Sequence, residues 1–295
     1  MNPQQQAPSN GRLSLLGVSL KDSEFQRLAR LIQSLWGLKM PPAKKSLVHG
    51  RLMKRLRLLG MASYEEYCDY LFSPEGQEAE LEHLIDAVST NKTEFFREPE
   101  AINHMATQAL PEMVLEKGVG LRDRLMVWSA GCATGEEPYT LAMVLEEFAQ
   151  RHPGLGFDWF ILGSDISSSA LATASRAVYP HSRVEDINIE LRKKYLMRGK
   201  DKNKDLVRIV PELRKRVAFR KINFMEEFDL REPMDIIFCR NVIIYFERAT
   251  QIEVLKRLCG QLKPGGYLYL GHTESVYGMG LPITQVIPTV YRKTG

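Results

Sequence analysis

The sequence is poor in the residues that build metal sites, disulfide frameworks and nucleophilic enzymes. Its four cysteines (Cys68, Cys132, Cys239 and Cys259) stand apart, with no C-x-x-C pair. That excludes a zinc-ribbon spacing and a disulfide scaffold, and free thiols suit a reducing cytoplasm. The six histidines (His49, His83, His104, His152, His181 and His272) form no ligand-spaced cluster, so no metal is expected. His272 reads as a loop hydrogen-bonder. No Ser-His-Asp or Cys-His pattern is present, and the G-x-G-x-x-G dinucleotide fingerprint is missing. No apolar run reaches the roughly eighteen residues that a membrane-spanning helix needs. Met1 to Gly11 is rich in Gln and Pro and lacks the charged-then-apolar order of a signal peptide. A disordered tail over residues 1–20 is expected.

What is present is an ordinary globular composition. The 295 residues, 44% of them hydrophobic, allow one large domain or two modest ones. The net charge of +4 is mild but unevenly spread. Seven Lys or Arg and no acid lie between Lys39 and Arg57, eleven acids lie between Met61 and Glu100, and Glu190 to Lys221 is basic again. Each charge run taken singly reads as a solvated face; two basic patches together point to an acidic partner surface.

The first segment, residues 21–89, reads as a small helical domain. Asp22 or Ser23 caps a helix through Phe25, Leu28, Ala29, Leu31, Ile32 and Leu35, and Pro41-Pro42 ends it. A second helix places Val48, Leu52, Leu56 and Leu59 on one face and Arg51 and Arg55 on another, with Gly60 as its stop. Ser63 caps a third over Tyr64 to Phe72. Ser73 to Gly76 reads as a turn, and a fourth helix runs to about Val88. Residues 90–118 form a linker and a helix from Pro99 to Glu116.

From 119 to 295 strands alternate with helices. Strands are expected at Leu125–Trp128, Trp159–Asp165, Val217–Asn223, Met234–Cys239 and Tyr267–Gly271, with Gln285–Tyr291 as an antiparallel edge. Ser167 caps a helix to Ala177, and a long helix covers Arg248 to Leu262. Such alternation predicts a parallel, doubly wound α/β sheet that binds its ligand at the strands' carboxyl ends. The basic stretch between Tyr179 and Val217 is too long for a loop. It reads as an inserted β-subdomain at about 188–216, with paired strands at Arg192–Gly199 and Leu206–Val210.

The candidate chemistry gathers at that carboxyl edge. After the first strand, Gly131-Cys132-Ala133-Thr134-Gly135-Glu136-Glu137 makes a glycine turn into a helix, where missing Cβ atoms let a backbone approach a cofactor. The acidic pair is wrong for a phosphate loop and suits a ligand with a cationic end. Asp165 ends the second strand, where an acid accepts ribose hydroxyls or caps the next helix. Asn223 and Phe224 close the third strand, either against an adenine ring or as a turn residue beside a core one. Arg240 and Asn241 follow the fourth, and Tyr245 wants a partner for its hydroxyl.

Five segments resemble the chemotaxis-receptor methyltransferases, the CheR family. They are Asn91-Lys92-Thr93-Glu94-Phe95-Phe96-Arg97, Thr134-Gly135-Glu136-Glu137-Pro138-Tyr139, Phe238 to Phe246, Leu262-Lys263-Pro264-Gly265-Gly266 and Gly271-His272-Thr273-Glu274-Ser275. The resemblance covers about Phe25 to Tyr291. It implies a class I methyltransferase fold (a Rossmann-like doubly wound sheet) with a small all-helical N-terminal domain and an inserted antiparallel β-subdomain. It also implies S-adenosylmethionine as methyl donor, a glutamate side chain of a methyl-accepting chemoreceptor as acceptor, and S-adenosylhomocysteine as product.

By motif position, Asn91, Thr93, Arg97, Gly131, Gly135, one of Glu136 or Glu137, Asp165, Asn223, Phe224, Arg240 and Asn241 line the cofactor site. Arg97 and Tyr245 are nearest the transferred methyl. The partner is the cytoplasmic helical domain of the receptor, whose acidic helices Arg51, Lys54 and Arg55 would steer. In some members the β-subdomain docks a C-terminal receptor peptide; the charged tip Lys200 to Asp205 does not match a peptide-binding form. A nucleic-acid methyltransferase fits less well. Amino-group methylation wants an Asn/Asp-Pro-Pro-aromatic loop where Cys239-Arg240-Asn241-Val242 stands, and no cysteine follows a proline as C5 chemistry would require. A catalytically silent receptor-binding adaptor is the other rival.

Overall fold

A computed structural model describes residues 17–294; most of the tail expected over 1–20 lies outside the described residues. The chain divides into two compact units, one running to Ser34 and resuming over Met40–Val88, the other made of Leu35–Lys39 and Ser89 onward.

The first unit is helical: α1 (Asp22–Trp36, whose last two residues belong to the second unit), α2 (Lys45–Leu59), α3 (Tyr64–Phe72) and α4 (Pro74–Val88). The start of α1 is fixed by Glu24, whose carboxylate accepts the Lys21 N–H at 2.6 Å, rather than by an Asp22 or Ser23 cap. Ser63 and Glu66 make a reciprocal capping box on α3, with Ser63 Oγ accepting the Glu66 N–H and Glu66 Oε2 the Ala62 N–H. The expected turn at Ser73 to Gly76 is instead the first turn of α4. Pro74 sits where a missing N–H is harmless, and Ser73 Oγ accepts the Gly76 N–H. Val48, Leu52 and Leu56 are fully buried, while Leu59 is half-buried.

Arg55 is not a free surface charge. It makes a two-pronged pair with Glu80 (2.8 and 2.6 Å), which is 1% exposed and also accepts from the Tyr67 hydroxyl. A buried carboxylate needs such a partner. Arg51 donates to the Ala87 carbonyl at 3.1 Å, and of the three basic residues expected to meet a partner only Lys54 is exposed.

The second unit opens with α5 (Pro99–His104), which continues as π-helical turns over Met105–Ala109 and Pro111–Glu116. The wider turns accommodate Pro111, which has no N–H to donate. There follow β1 (Leu125–Ala130), α6 (Glu136–Arg151), β2 (Trp159–Asp165), α7 (Ser168–Arg176), β3 (Val178–Pro180), α8 (Ile189–Tyr195), β4 (Leu196–Arg198), β5 (Leu206–Ile209), α9 (Pro211–Arg214), β6 (Val217–Lys221), β7 (Met234–Cys239), α10 (Arg248–Gln261), β8 (Leu262–Leu270), β9 (Ile283–Ile287) and β10 (Val290–Lys293). The main sheet has the order β6-β2-β1-β7-β8-β10-β9, parallel through β8 and antiparallel beyond it. All of β7 and nearly all of β1 are buried, as central parallel strands covered on both faces must be.

Four local expectations change. Lys263 to Gly266 is a bulge within β8: Met234 pairs with Leu262 but Ile236 with Tyr267. The run from Gln285 to Tyr291 is split by a turn at Pro288-Thr289 into the hairpin β9–β10. The first half of the first strand expected in the insertion is the end of α8, because Asn188 Oδ1 accepts the Glu190 N–H and starts a helix; only Leu196–Arg198 pairs with β5. The small antiparallel sheet, in the order β3-β5-β4, also takes in Val178–Pro180, ahead of the expected start at 188.

Glu112, on the π-helical segment after α5, is tied to β8 through Tyr267 and to β10 through Arg292. Lys117, then the Tyr267 hydroxyl (2.5 Å) and Arg292 (2.6 Å), hold its carboxyl down at about 2 against an ordinary 4.5. Glu112→Gln is therefore expected to lower the unfolding free energy at pH 7 by on the order of 1–2 kcal/mol, allowing for solvent screening. The wild-type advantage is full above about 4.5 and disappears as pH falls toward 2, where the native carboxylate protonates. Thermal melts of both proteins across that range check this; a gap that stays constant with pH contradicts it.

Candidate functional site

The strand order reverses beside β1, which has β2 on one side and β7 on the other. In a doubly wound sheet a ligand crevice lies at that point, outside the strands' carboxyl ends. The chain puts a cavity of about 220 Å³ there. Gly131 and Ala133 after β1, Asp165 and Ile166 at β2, Ile222 to Phe224 after β6, and Arg240 to Val242 after β7 contribute to its wall. The strap from Ser89 to Arg97 and the residues Trp36, Leu38, Ile244, Tyr245 and Phe246 complete it.

The two glutamates of the glycine loop part ways, and only one of them lines the cavity. Neighbouring residues on a helix point about 100° apart, and the two glutamates take different surroundings. Glu137 lines the cavity, where its carboxylate accepts from Ser129 Oγ at 2.7 Å and from Arg240 Nε at 2.8 Å. Glu136 is 1% exposed and points away from the cavity. It accepts from Thr134 Oγ1 at 2.6 Å and pairs with Arg183, which also donates to the Thr93 carbonyl. Gly131 (φ +83°) lines the cavity. Gly135 (φ +96°) does not; its missing Cβ makes room for Ala174 Cα and Tyr179 Oη, each 2.9 Å from where it would lie. The second glycine therefore serves helix and small-sheet packing rather than approach to a ligand.

Asp165 stands in the wall and keeps both functions open to it. Its Oδ2 accepts the Ala133 N–H at 2.8 Å and its Oδ1 the Ser167 N–H at 2.9 Å, while Ser167 itself caps α7. Asn223 lines the cavity, but Nδ2 donates to the Leu35 carbonyl and to Glu226 Oε1, both at 2.9 Å, so its amide hydrogens are committed within the protein. Phe224 packs edge-on to the buried Trp128 and remains in the wall. Arg240 has a side chain only 3% exposed and donates to Glu137, to the Arg97 carbonyl (2.7 Å) and to the Glu98 carbonyl (3.4 Å). Asn241 donates through Nδ2 to Glu98 Oε1 at 3.2 Å.

Thr93, Arg97 and Tyr245 also line the cavity, and Arg97 donates to the Lys92 carbonyl at 3.3 Å. Asn91 does not; its Nδ2 reaches Ser167 Oγ at 3.4 Å and ties the strap to the start of α7. The cavity wall holds neither histidine nor cysteine. Cys132 and Cys239 are buried nearby, and burial raises both thiols well above their ordinary range, which removes them as nucleophiles. Among the described residues no group of His, Cys, Asp and Glu is arranged to hold a metal, and no helix is long and apolar enough to cross a membrane.

A doubly wound sheet with an antiparallel hairpin beyond its last parallel strand, a cavity at the switch point and a glycine loop offering an acid together define a methyltransferase dependent on S-adenosylmethionine. Residues 91–289 match the family described as "CheR methyltransferase, SAM binding domain", and residues 23–89 match "CheR methyltransferase, all-alpha domain". The chain belongs to the CheR methyltransferase family. It is similar to the chemotaxis protein methyltransferase of Borreliella burgdorferi, 34% identical over 94% of this chain and 96% of the relative. The Escherichia coli protein of the same name is 34% identical over 93% and 92%, respectively. Chemotaxis protein methyltransferase 2 of Pseudomonas aeruginosa is 35% identical over 91% and 92%.

Proposed function

We propose that this chain transfers the methyl group of S-adenosylmethionine to glutamate carboxylates on the cytoplasmic helical domain of a methyl-accepting chemoreceptor, giving glutamate methyl esters in the cytoplasm. One observation carries the reading of the site: Glu137 and Arg240, oppositely charged and bonded to each other, share a wall with Arg97 and Tyr245. An amino-acid end with one cationic and one anionic group matches such a pair, Glu137 meeting the amino group and Arg240 the carboxylate. Asp165 would take the ribose hydroxyls and Phe224 the flat base. Bound cofactor supplies a methyl already activated on a sulfonium. Arg97 and Tyr245 would orient the acceptor, and a glutamate is ionised at neutral pH, so transfer to this acceptor needs no general base.

Incubation with labelled S-adenosylmethionine and membranes carrying the receptors tests the reaction. Base-labile label on a receptor-sized band is expected. Label confined to nucleic acid, or cofactor binding with no transfer to any receptor, overturns it.

The helical domain over 21–89 would meet the acidic receptor helices through Lys54 more than through Arg55, whose guanidinium is engaged by Glu80. Lys54→Glu is expected to slow receptor methylation about 3–10-fold at low ionic strength and little at high salt. Equal initial rates at low salt would remove Lys54 from the docking face. The outer edge of β4, which pairs only with β5, offers a receptor C-terminal peptide a place to add as a strand, although the charged tip 200–205 beside it does not match a peptide-binding form.

A further inference from the structure

The turn Gly271-His272-Thr273-Glu274-Ser275 contributes nothing to the cavity wall. Glu274 is nevertheless buried, 6% exposed, and its carboxylate collects four backbone donors. Oε2 accepts the N–H groups of Gly271 (2.6 Å) and Asn241 (3.0 Å), and Oε1 those of Val242 (2.8 Å) and Ile243 (2.9 Å). Three successive amides aimed at one anion form a backbone nest, here filled by the protein's own side chain. The nest includes Asn241 at φ +59°, a left-handed conformation that a non-glycine residue keeps only when its surroundings impose it. Gly271 permits the approach: a Cβ there would lie 2.8 Å from Asn241 Nδ2 and 3.0 Å from Glu274 Oε2.

The loop gripped in this way carries Asn241, Val242, Ile244 and Tyr245 into the cavity wall. Asn241 is held from its other side by Glu98, next to Arg97. We propose that Glu274 is a positioning residue for the cofactor site, its carboxylate fixing the 241–245 loop so that Asn241 and Tyr245 stand in the wall together with Arg97. The inference rests on the cavity being the cofactor site. An amide in its place offers one acceptor oxygen and turns an NH2 group toward backbone N–H donors, so the nest cannot close in the same form.

Calorimetric titration with S-adenosylhomocysteine tests this. Glu274→Gln is expected to weaken binding about 10-fold, a loss typical of charge-assisted bonds removed behind a site, with partial recovery in Glu274→Asp. In an Asn241→Ala background, which keeps the gripped backbone amides but removes one of the two side chains they position, the same substitution should cost less, about 3–5-fold, because only Tyr245 is left to misplace. A purely structural role would give the same loss in both backgrounds, and that result, or wild-type affinity in a folded Glu274→Gln protein, overturns the proposal. Should Glu274→Gln fail to fold, Gly271→Ala crowds the same contact from the turn and is read in the same two backgrounds. Absence of binding by the wild-type protein would instead remove the cofactor-site reading, and this inference with it.

Discussion

Arg240→Met is expected to weaken S-adenosylhomocysteine binding by more than about 100-fold and to lower the unfolding free energy by about 3–5 kcal/mol. Both losses have one origin. The Arg240 side chain is 3% exposed and is the cation paired with Glu137, so its removal strands a carboxylate that is itself only 11% exposed. The carbonyls of Arg97 and Glu98 also lose their guanidinium donor, which frees the strap on the far side of the cavity. The two effects separate in a double variant. Glu137→Gln together with Arg240→Met removes the stranded charge, so stability should return most of the way while binding stays lost. Equilibrium denaturation alongside calorimetry checks this, and a double variant that regains affinity would remove both Glu137 and Arg240 from the cofactor contacts.

A fragment of residues 89–295 is expected to bind S-adenosylhomocysteine about 100-fold more weakly than the whole chain, or to precipitate. It contains all of the matched region 91–289, so sequence boundaries recommend it. The physical boundary lies elsewhere. Trp36 and Leu38 are part of the cavity wall, Lys39 donates its N–H to the Tyr245 carbonyl at 2.8 Å, and Leu35 accepts from Asn223. Gly37, at φ +69°, lets the backbone pass against Met225 and Phe246. A version that begins at Leu35 and replaces residues 40–88 by a flexible linker should recover most of the affinity. Full affinity in the 89–295 fragment would remove the 35–39 segment from the site.

These two cases show what could be read from the sequence and what could not. Caps that act within a few residues, such as Ser63 and Ser167, were legible because donor and acceptor are neighbours in the chain. So was Met234–Cys239, whose run Ile236-Ile237-Phe238-Cys239 suits a strand buried on both faces, although the buried Asp235 and its Lys263 partner were not. Most of the motif residues do meet at one cavity, because the carboxyl ends of parallel strands bring their following loops together. The Leu35–Asn223 contact spans 188 residues and joins an apolar helix end to a strand end, with no local pattern to mark it. Arg55 read as one of the charges that meet a partner, and Arg183 drew no reading at all, because a buried carboxylate partner is visible only in three dimensions. The helix α8 was hidden for a different reason: its run Arg192-Lys193-Lys194 has no apolar period to distinguish a helix from a strand.

Tyr179 and Arg183 stand at the entrance to the small sheet, one donating to the Thr134 carbonyl at 2.9 Å, the other joined to Glu136 and to the Thr93 carbonyl. They are roots of the inserted sheet and parts of the glycine loop's support at once. The insertion is therefore not a cassette that can be exchanged between relatives at the ends of its strands. A graft cut before Val178 would import a foreign brace for the glycine loop. One cut after Arg183 carries over α8, β4 and β5 and leaves the host's brace for the glycine loop intact.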